Sequence, residues 1–516
     1  MHLSQLTHLS RRDLLKLGLL TGTAAGLPLA RLAQAVADGN PPTSPFFQPF
    51  QLPLPIPPNH VKTVTPNADV YHVVMREAFA QILPDPRLKT RVFTYNGFYP
   101  GQTFQVRRGR PVVVTQRNHL PVNTSVHLHG AVVDGNSDGH PLDIIRPGGV
   151  KVYTYPNPDV DSQSARTEWY HDHAVDITGS NVYHGLAGFY LIHDASEIRL
   201  RLPTGRFDIP LVLQDRRFNA DGSLFFPVFD TFDSNNGVFG DTIVVNGAQQ
   251  PFLRVEPRRY RFRVLDGSNA RQYRLQLSND DPLILIATEG GFLERPVFLS
   301  SLFIAQAERY EFIIDFTHLA GKHIVLRNTN LRSDDDPTRI GNLVRFDVTL
   351  PLSSHDTSQI PSFLRRITPI PESEAKLTRH FEFARDDGQW AINKRFFDET
   401  LARVDARPRS GDIEIWELKN GGGGWRHPIH IHLINFQILD RNGGPPLPWE
   451  HGWKETVLLH EGETVRVIIR WYDVPAGPPR NPPDGKNFKN KYVFHCHNLE
   501  HEDHAMMGEI EVQPRR

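Results

Sequence analysis

The chain has 516 residues, 39% of them hydrophobic, with 57 Lys and Arg against 58 Asp and Glu and a net charge of −1. At about 150 residues per domain this length points to roughly three domains with sizeable cores. The balanced charge excludes a general attraction to nucleic acid or an anionic membrane surface, and the single cysteine, Cys496, excludes an intramolecular disulfide.

The first 35 residues read as a signal peptide. Ser10-Arg11-Arg12-Asp13-Leu14-Leu15-Lys16 resembles the twin-arginine export signal, a mildly apolar run follows, and Ala33-Gln34-Ala35 offers small residues for cleavage. Gly18, Gly22, Gly26, Pro28 and Arg31 make the run too broken to span a bilayer, and no other stretch approaches that length. The expectation is a periplasmic or secreted protein without a membrane span, exported already folded by the twin-arginine machinery.

Residues 36–59 are proline-rich. Between 41 and 58 the prolines leave no room for a sheet ladder, and the segment is expected to run extended along a domain surface. Residues 60–195 carry a β pattern: Gln102–Thr115, Ser125–Gly130 and Gly185–Ile192. A second β block fills 196–350, with strands over Thr242–Val245, Arg259–Leu265, Leu283–Ile286, Tyr310–Asp315 and His323–Leu326. Its basic run Arg254 to Arg263 is expected to be a solvated outer face. Residues 351–376 contain four prolines and read as a linker, and a third β block occupies 377–516.

Short strands punctuated by Gly and Pro predict an all-β chain of β-sandwiches. Trp169-Tyr-His-Asp-His173 is echoed by Val493-Phe-His-Cys-His497, and His127-Leu-His129 by His430-Ile-His432. The middle block has the strand rhythm without His-X-His, so it reads as a spacer that holds no metal.

Four His-X-His pairs, His127/His129, His171/His173, His430/His432 and His495/His497, sit in or beside predicted strands, where a spacing of two puts both rings on one face. One such pair means little. Four, split between the first and last blocks, point to a shared metal cluster. Cys496 stands between His495 and His497, and so faces the other side of its strand. With His427, His501 and Met506 it has the donors of a blue-copper site, two imidazoles and a thiolate with an axial thioether. Eight converging imidazoles suit three coppers better than tetrahedral zinc, which takes at most four ligands.

His127-Leu-His-Gly130, Trp169-Tyr-His-Asp-His173, His427-Pro-Ile-His-Ile-His432 and His495-Cys-His-Asn-Leu-Glu-His501 with Met506 resemble the four copper motifs of multicopper oxidases, especially spore-coat-type laccases and bilirubin oxidases. The resemblance implies three cupredoxin-like Greek-key β-sandwich domains and four coppers per chain. His427, Cys496 and His501, with Met506 axial, would hold the type 1 copper. His127 and His430 would hold type 2, and His129, His171, His173, His432, His495 and His497 the two type 3 coppers. It also implies one-electron oxidation of phenolic or aromatic donors and four-electron reduction of dioxygen to water. His501 would lie at the floor of the substrate pocket, with Gly421–Arg426 as its rim and Trp425 as a wall or a core aromatic. Asp138 and Glu502 match positions associated with proton supply, although Asp138 also suits a plain turn. His504 has no assigned role.

The alternatives are a metal-ion oxidase for Mn(II) or Cu(I), a non-enzymatic cupredoxin-repeat protein, and an electron carrier with the blue site alone. Only four Met residues speak against Cu(I), and the complete ligand set speaks against the last two.

Overall fold

The computed structural model describes residues 41–158, 160, 164–227, 236–398, 400, 403–473 and 487–515, so the expected export signal lies outside the described residues. Strands dominate, in six sheets that fall in three consecutive pairs. Between Thr63 and His193 a five-stranded sheet packs on a four-stranded one; between Asp208 and Asp347 the pair is seven- and five-stranded, and between Leu377 and Glu511 five- and four-stranded. Alternation supplies the inner faces: Tyr71, Val73 and Met75 of one strand all point into the first core. Each pair encloses its own large apolar core, where every buried Val, Leu, Ile or Phe contributes about 1.5–3 kcal/mol.

The pairs share a topological feature. Asp69–Ala80 runs parallel to Val112–Asn118, Asp208–Arg216 to Arg259–Asp266, and Leu377–Asp386 to Ile413–Asn420. A tight hairpin cannot join parallel neighbours, so the connection crosses over each time. The middle pair thus repeats the architecture of its neighbours without their histidines.

Two expectations fail in instructive ways. The proline-rich segment does enter a short parallel bridge, because Phe252 N donates to Leu52 O and Leu54 N donates to Phe252 O. Pro53 sits between these bonds, so its missing N–H is not needed, while Leu54 enters the middle core. The basic run is not a solvated face. Arg261 and Arg263 are fully buried, paired with Glu197, Asp208 and Glu311. Their strand is central in the seven-stranded sheet, and its polar face is covered by Thr167 of the preceding module and by Glu197 of the helix that connects the two. The stretch 351–376 is also anchored, with Leu364 and Ile370 buried.

Two four-stranded sheets position the site. In the first, Val126–His129 pairs antiparallel with Arg166–Asp172, setting His127 opposite His171. In the last, His427–Ile431 lies between Thr456–Leu459 and Lys491–Cys496, setting His430 opposite His495 and Ile429 opposite Cys496.

Candidate metal centre

The strand Lys491–Cys496 separates two clusters by its pleat. On one side His495 joins His173 and His432, with Nε2–Nε2 separations of 3.2 Å and 3.3 Å. On the other, Cys496 Sγ lies 3.4 Å from His427 Nδ1 and 3.5 Å from His501 Nδ1, the two ring nitrogens being 3.2 Å apart. Met506 is fully buried in the same core as Cys496.

All eight paired histidines converge. The His127 ring stacks on His432 at 3.8 Å, and His129 on His430 at 3.6 Å, so the first and last sheets meet ring to ring. His129, His171 and His497 form one group, with ring centroids 5.1–5.7 Å apart. His173, His432 and His495 form another, whose nearest ring nitrogens lie within 4.8 Å of one another. His127 and His430 lie between them, 5.7 Å apart.

Hydrogen bonds aim these rings. A carbonyl or carboxylate can only accept, so the nitrogen it touches carries the proton and the other presents a lone pair. His127 Nδ1 donates to Asp138 O, His171 Nδ1 to Asp172 O and His430 Nδ1 to Glu455 O, and His432 Nδ1 shares a proton with Asp138 Oδ2 at 2.6 Å. Glu502 lies between His173 Nδ1 at 3.3 Å and His495 Nδ1 at 3.0 Å. His129 is the exception: its Nε2 faces Glu455 Oε1 at 3.2 Å, leaving Nδ1 free.

The freed nitrogens fit a metal. His127 Nε2, His129 Nδ1, His171 Nε2, His430 Nε2 and both nitrogens of His497 are buried without a hydrogen-bond partner. Buried polar atoms left unpaired are costly, and a cluster of cations among the rings would satisfy them. Burial first, then the neighbouring rings, holds His127, His129, His430, His432 and His497 well below the ordinary imidazole range, in the neutral form a metal needs. Burial also pushes the Cys496 thiol up, so a thiolate there requires a cation beside it.

Asp138 and Glu502 are both buried against the cluster. Burial raises Asp138 well above the usual carboxylate range. Burial acts on Glu502 the same way, but the His495 and His173 imidazoles outweigh it and bring it to about 2. Asp138 does end a short 3-10 turn, Gly135–Ser137, yet its side chain is turned inward onto His432.

His501, expected by resemblance at the floor of the substrate pocket, is closed over in this structure. It is fully buried, with Nε2 2.8 Å from the Asn236 carbonyl, which also accepts from Asn498 Nδ2. Trp390 packs on its ring at 3.9 Å and Trp425 meets it edge-on at 5.5 Å. Trp425 is half-buried and stacks on Phe239, so it is the aromatic between His501 and the surface. The glycines of 421–426 suit that rim, since Gly422, Gly423 and Gly424 all have positive φ. His504 is half-buried, its Nδ1 donating to Glu500 O.

Sequence reasoning missed Glu455, Asn498 and Trp390. Asn498 was findable as the N-cap of the helix Leu499–Asp503, which turns His501 back toward Cys496. Trp390 and Glu455 lie far from the motifs along the chain and carry no local signal.

Models of one family, described as multicopper oxidase, match residues 78–197, 220–345 and 369–516. A bilirubin oxidase from Albifimbria verrucaria is 39% identical over 512 residues, covering 95% of this chain and 84% of its own. A laccase from Bacillus subtilis (strain 168) is 36% identical over 524 residues, covering 89% and 97%. Among solved structures, a laccase from Pediococcus acidilactici superposes with a TM-score of 0.79 at 29% identity over 92% of this chain and 95% of that one. The McoA multicopper oxidase of Aquifex aeolicus gives 0.77 at 30% identity over 89% and 99%.

Proposed function

The chain belongs to the multicopper oxidase family, and from that premise we propose what each part of its site does and which donors it takes. It is a copper-dependent oxidoreductase of the laccase and bilirubin oxidase kind with oxygen as acceptor. Bound copper supplies a one-electron acceptor beside Cys496 and a centre where dioxygen is reduced to water.

In our reading His427, Cys496, His501 and Met506 would hold the type 1 copper. His127 and His430 hold type 2. His129, His171 and His497 hold one type 3 copper, and His173, His432 and His495 the other, a division supported by the ring groups above. Cys496 is peptide-bonded to His495 and His497, so the chain itself forms a covalent path between the two clusters. Asp138 and Glu502 touch the cluster imidazoles through Nδ1 on opposite sides. Asp138, which burial favours in its protonated form, would be the proton donor and Glu502 a carboxylate acceptor beside the place where oxygen reduction consumes protons. Trp390, Trp425 and the Asn236 carbonyl keep water from His501.

The donors proposed are phenols and related aromatics, tetrapyrroles included. Support comes from the aromatic approach to His501, where half-buried Trp425 stacks on Phe239 and Arg332 lies over the Phe239 ring at 3.7 Å. A flat electron-rich ring fits that surface by stacking, whereas a hard cation such as Mn(II) wants free carboxylates.

The observation that carries the reading is the meeting of His173 from the first module with His432 and His495 from the last. Oxygen uptake by the copper-loaded protein with a phenol, a linear tetrapyrrole, Mn(II) and Cu(I) in parallel tests the donor class. Uptake with the organic donors and little with the ions is expected; uptake with an ion alone overturns it. Export by the twin-arginine route, to the periplasm or beyond, is proposed on the Ser10–Lys16 motif, the apolar run after it and the small residues Ala33 and Ala35. None of the described helices is long and apolar enough to cross a membrane.

A further inference from the structure

Glu455 is fully buried and touches two ligands at once, in opposite senses. Its Oε1 lies 3.2 Å from His129 Nε2, and its main-chain carbonyl 3.0 Å from His430 Nδ1. Both oxygens only accept, so a neutral His129 keeps its proton on Nε2 and a neutral His430 keeps its own on Nδ1. The two rings stack at 3.6 Å and 18°. One residue therefore turns two parallel imidazoles to opposite tautomers, leaving Nδ1 of His129 and Nε2 of His430 unpartnered.

Something must hold Glu455 in turn. Arg309 donates to it twice, Nη1 to Oε1 and Nη2 to Oε2, each at 2.7 Å. Two more of its donors are fixed by Thr167 O and Ala307 O. Arg309 opens a strand of the middle sheet pair, so the clamp comes from the module that lacks histidine pairs. The neighbouring Lys454 is tied to the same module through Glu289, Glu308 and Tyr310. Gly130 makes room: a Cβ there would lie 2.6 Å from Glu455 Oε2 and 2.9 Å from Arg309 Nη2, and its φ is +93°. Glu455 with His129 and His430 also has the spacing of a metal site. The bidentate guanidinium occupies both carboxylate oxygens and repels a cation there, so the group reads as support for ligands and not as a further site.

We propose that Glu455, locked by Arg309 of the middle module, is a positioning residue that makes His129 present Nδ1 to the copper cluster. The middle module is then part of the metal centre's scaffold. Glu455 Oε1 also accepts from Thr456 Oγ1 at 3.0 Å and so turns that hydroxyl's lone pair toward His129 Nε2 at 3.2 Å. Without Glu455 neither acceptor is held in place, and the cluster position His129 serves is weakened. This inference rests on the multicopper reading above.

Two double variants test it, both removing the charges together so that no unpaired ion stays buried. Glu455→Leu with Arg309→Met removes the carboxylate and releases the Thr456 hydroxyl from it; Glu455→Gln with Arg309→Met keeps an amide oxygen for both. The readouts are blue absorption, copper affinity by competitive chelation, and the share of copper visible by electron spin resonance, since a coupled pair is silent. In the Leu variant the blue absorption is expected to persist while cluster affinity falls about 10–100-fold and the silent share shrinks. The Gln variant is expected to match the parent. A Leu variant with parental affinity and silent share overturns the proposal, as does one that loses the blue site along with the cluster. A parent protein that binds no copper cluster overturns the family-based reading of the site itself.

Discussion

His173 and His495 lie 322 residues apart in sequence and bring their Nε2 atoms to 3.2 Å. One belongs to the first sheet pair and the other to the last, so the fold has to close before the centre exists. Cys496, the next residue, points the opposite way and meets His427 and His501. Two sites are thus joined through one strand by its two-residue period.

Replacing Cys496 by Ser leaves a similar volume but no thiolate. The blue absorption is expected to vanish and donor oxidation to stop, while the copper held by the eight paired histidines remains countable. An intact visible band in Cys496→Ser contradicts the assignment.

Asp138 supports two ligands, His432 through its carboxylate and His127 through its carbonyl. Asp138→Asn keeps the carbonyl and much of the shape but removes the acid. Oxygen turnover is expected to fall about 10–100-fold with the visible spectrum unchanged, since the Cys496 site is untouched. Steady-state oxygen electrode measurements on both proteins check this; parental turnover contradicts it.

Arg263 is fully buried between Asp208, Glu197 and Glu311. Arg263→Met leaves those three carboxylates to Arg261 and is expected to cost about 3–5 kcal/mol. Arg259→Met on the same strand removes a partly exposed pair with Asp315 and is expected to cost less than about 1 kcal/mol. Equal losses in denaturant melts contradict this burial argument.

His60 is buried against Phe104, with ring centroids 4.0 Å apart, and burial lowers its pKa to about 4. Its ring neighbours Tyr71 and Tyr170 have raised pKa values and stay neutral in acid. Between the ordinary 6.5 and about 4 the unfolded chain binds the extra proton, so stability rises with pH there. The contribution is complete above 6.5 and lost as pH falls through 4, about 3 kcal/mol at most. The parent is therefore expected to lose stability relative to His60→Phe across that window. Parallel pH profiles contradict it.

Much of the candidate site was legible because its imidazole and thiol donors cluster in sequence where strands impose a period of two. His127/His129 and His495/His497 announce themselves as pairs, and Cys496 between two histidines implies a second face. Strand positions were readable for the same reason, as in Thr242–Val245. What could not be read were contacts made by chain closure. Arg261 and Arg263 look like a solvated stripe until the preceding module covers them. Glu455 is one carboxylate among many until Arg309 and His129 arrive from the other two modules. Likewise, the burial of His501 under the Asn236 carbonyl depends on a distant loop.

The most direct measurement is a copper count on the purified protein, with its visible and electron spin resonance spectra. The account predicts a blue absorption from the Cys496 site together with further copper, part of it silent through coupling at the eight histidines. A protein carrying a single blue copper and nothing more would contradict it.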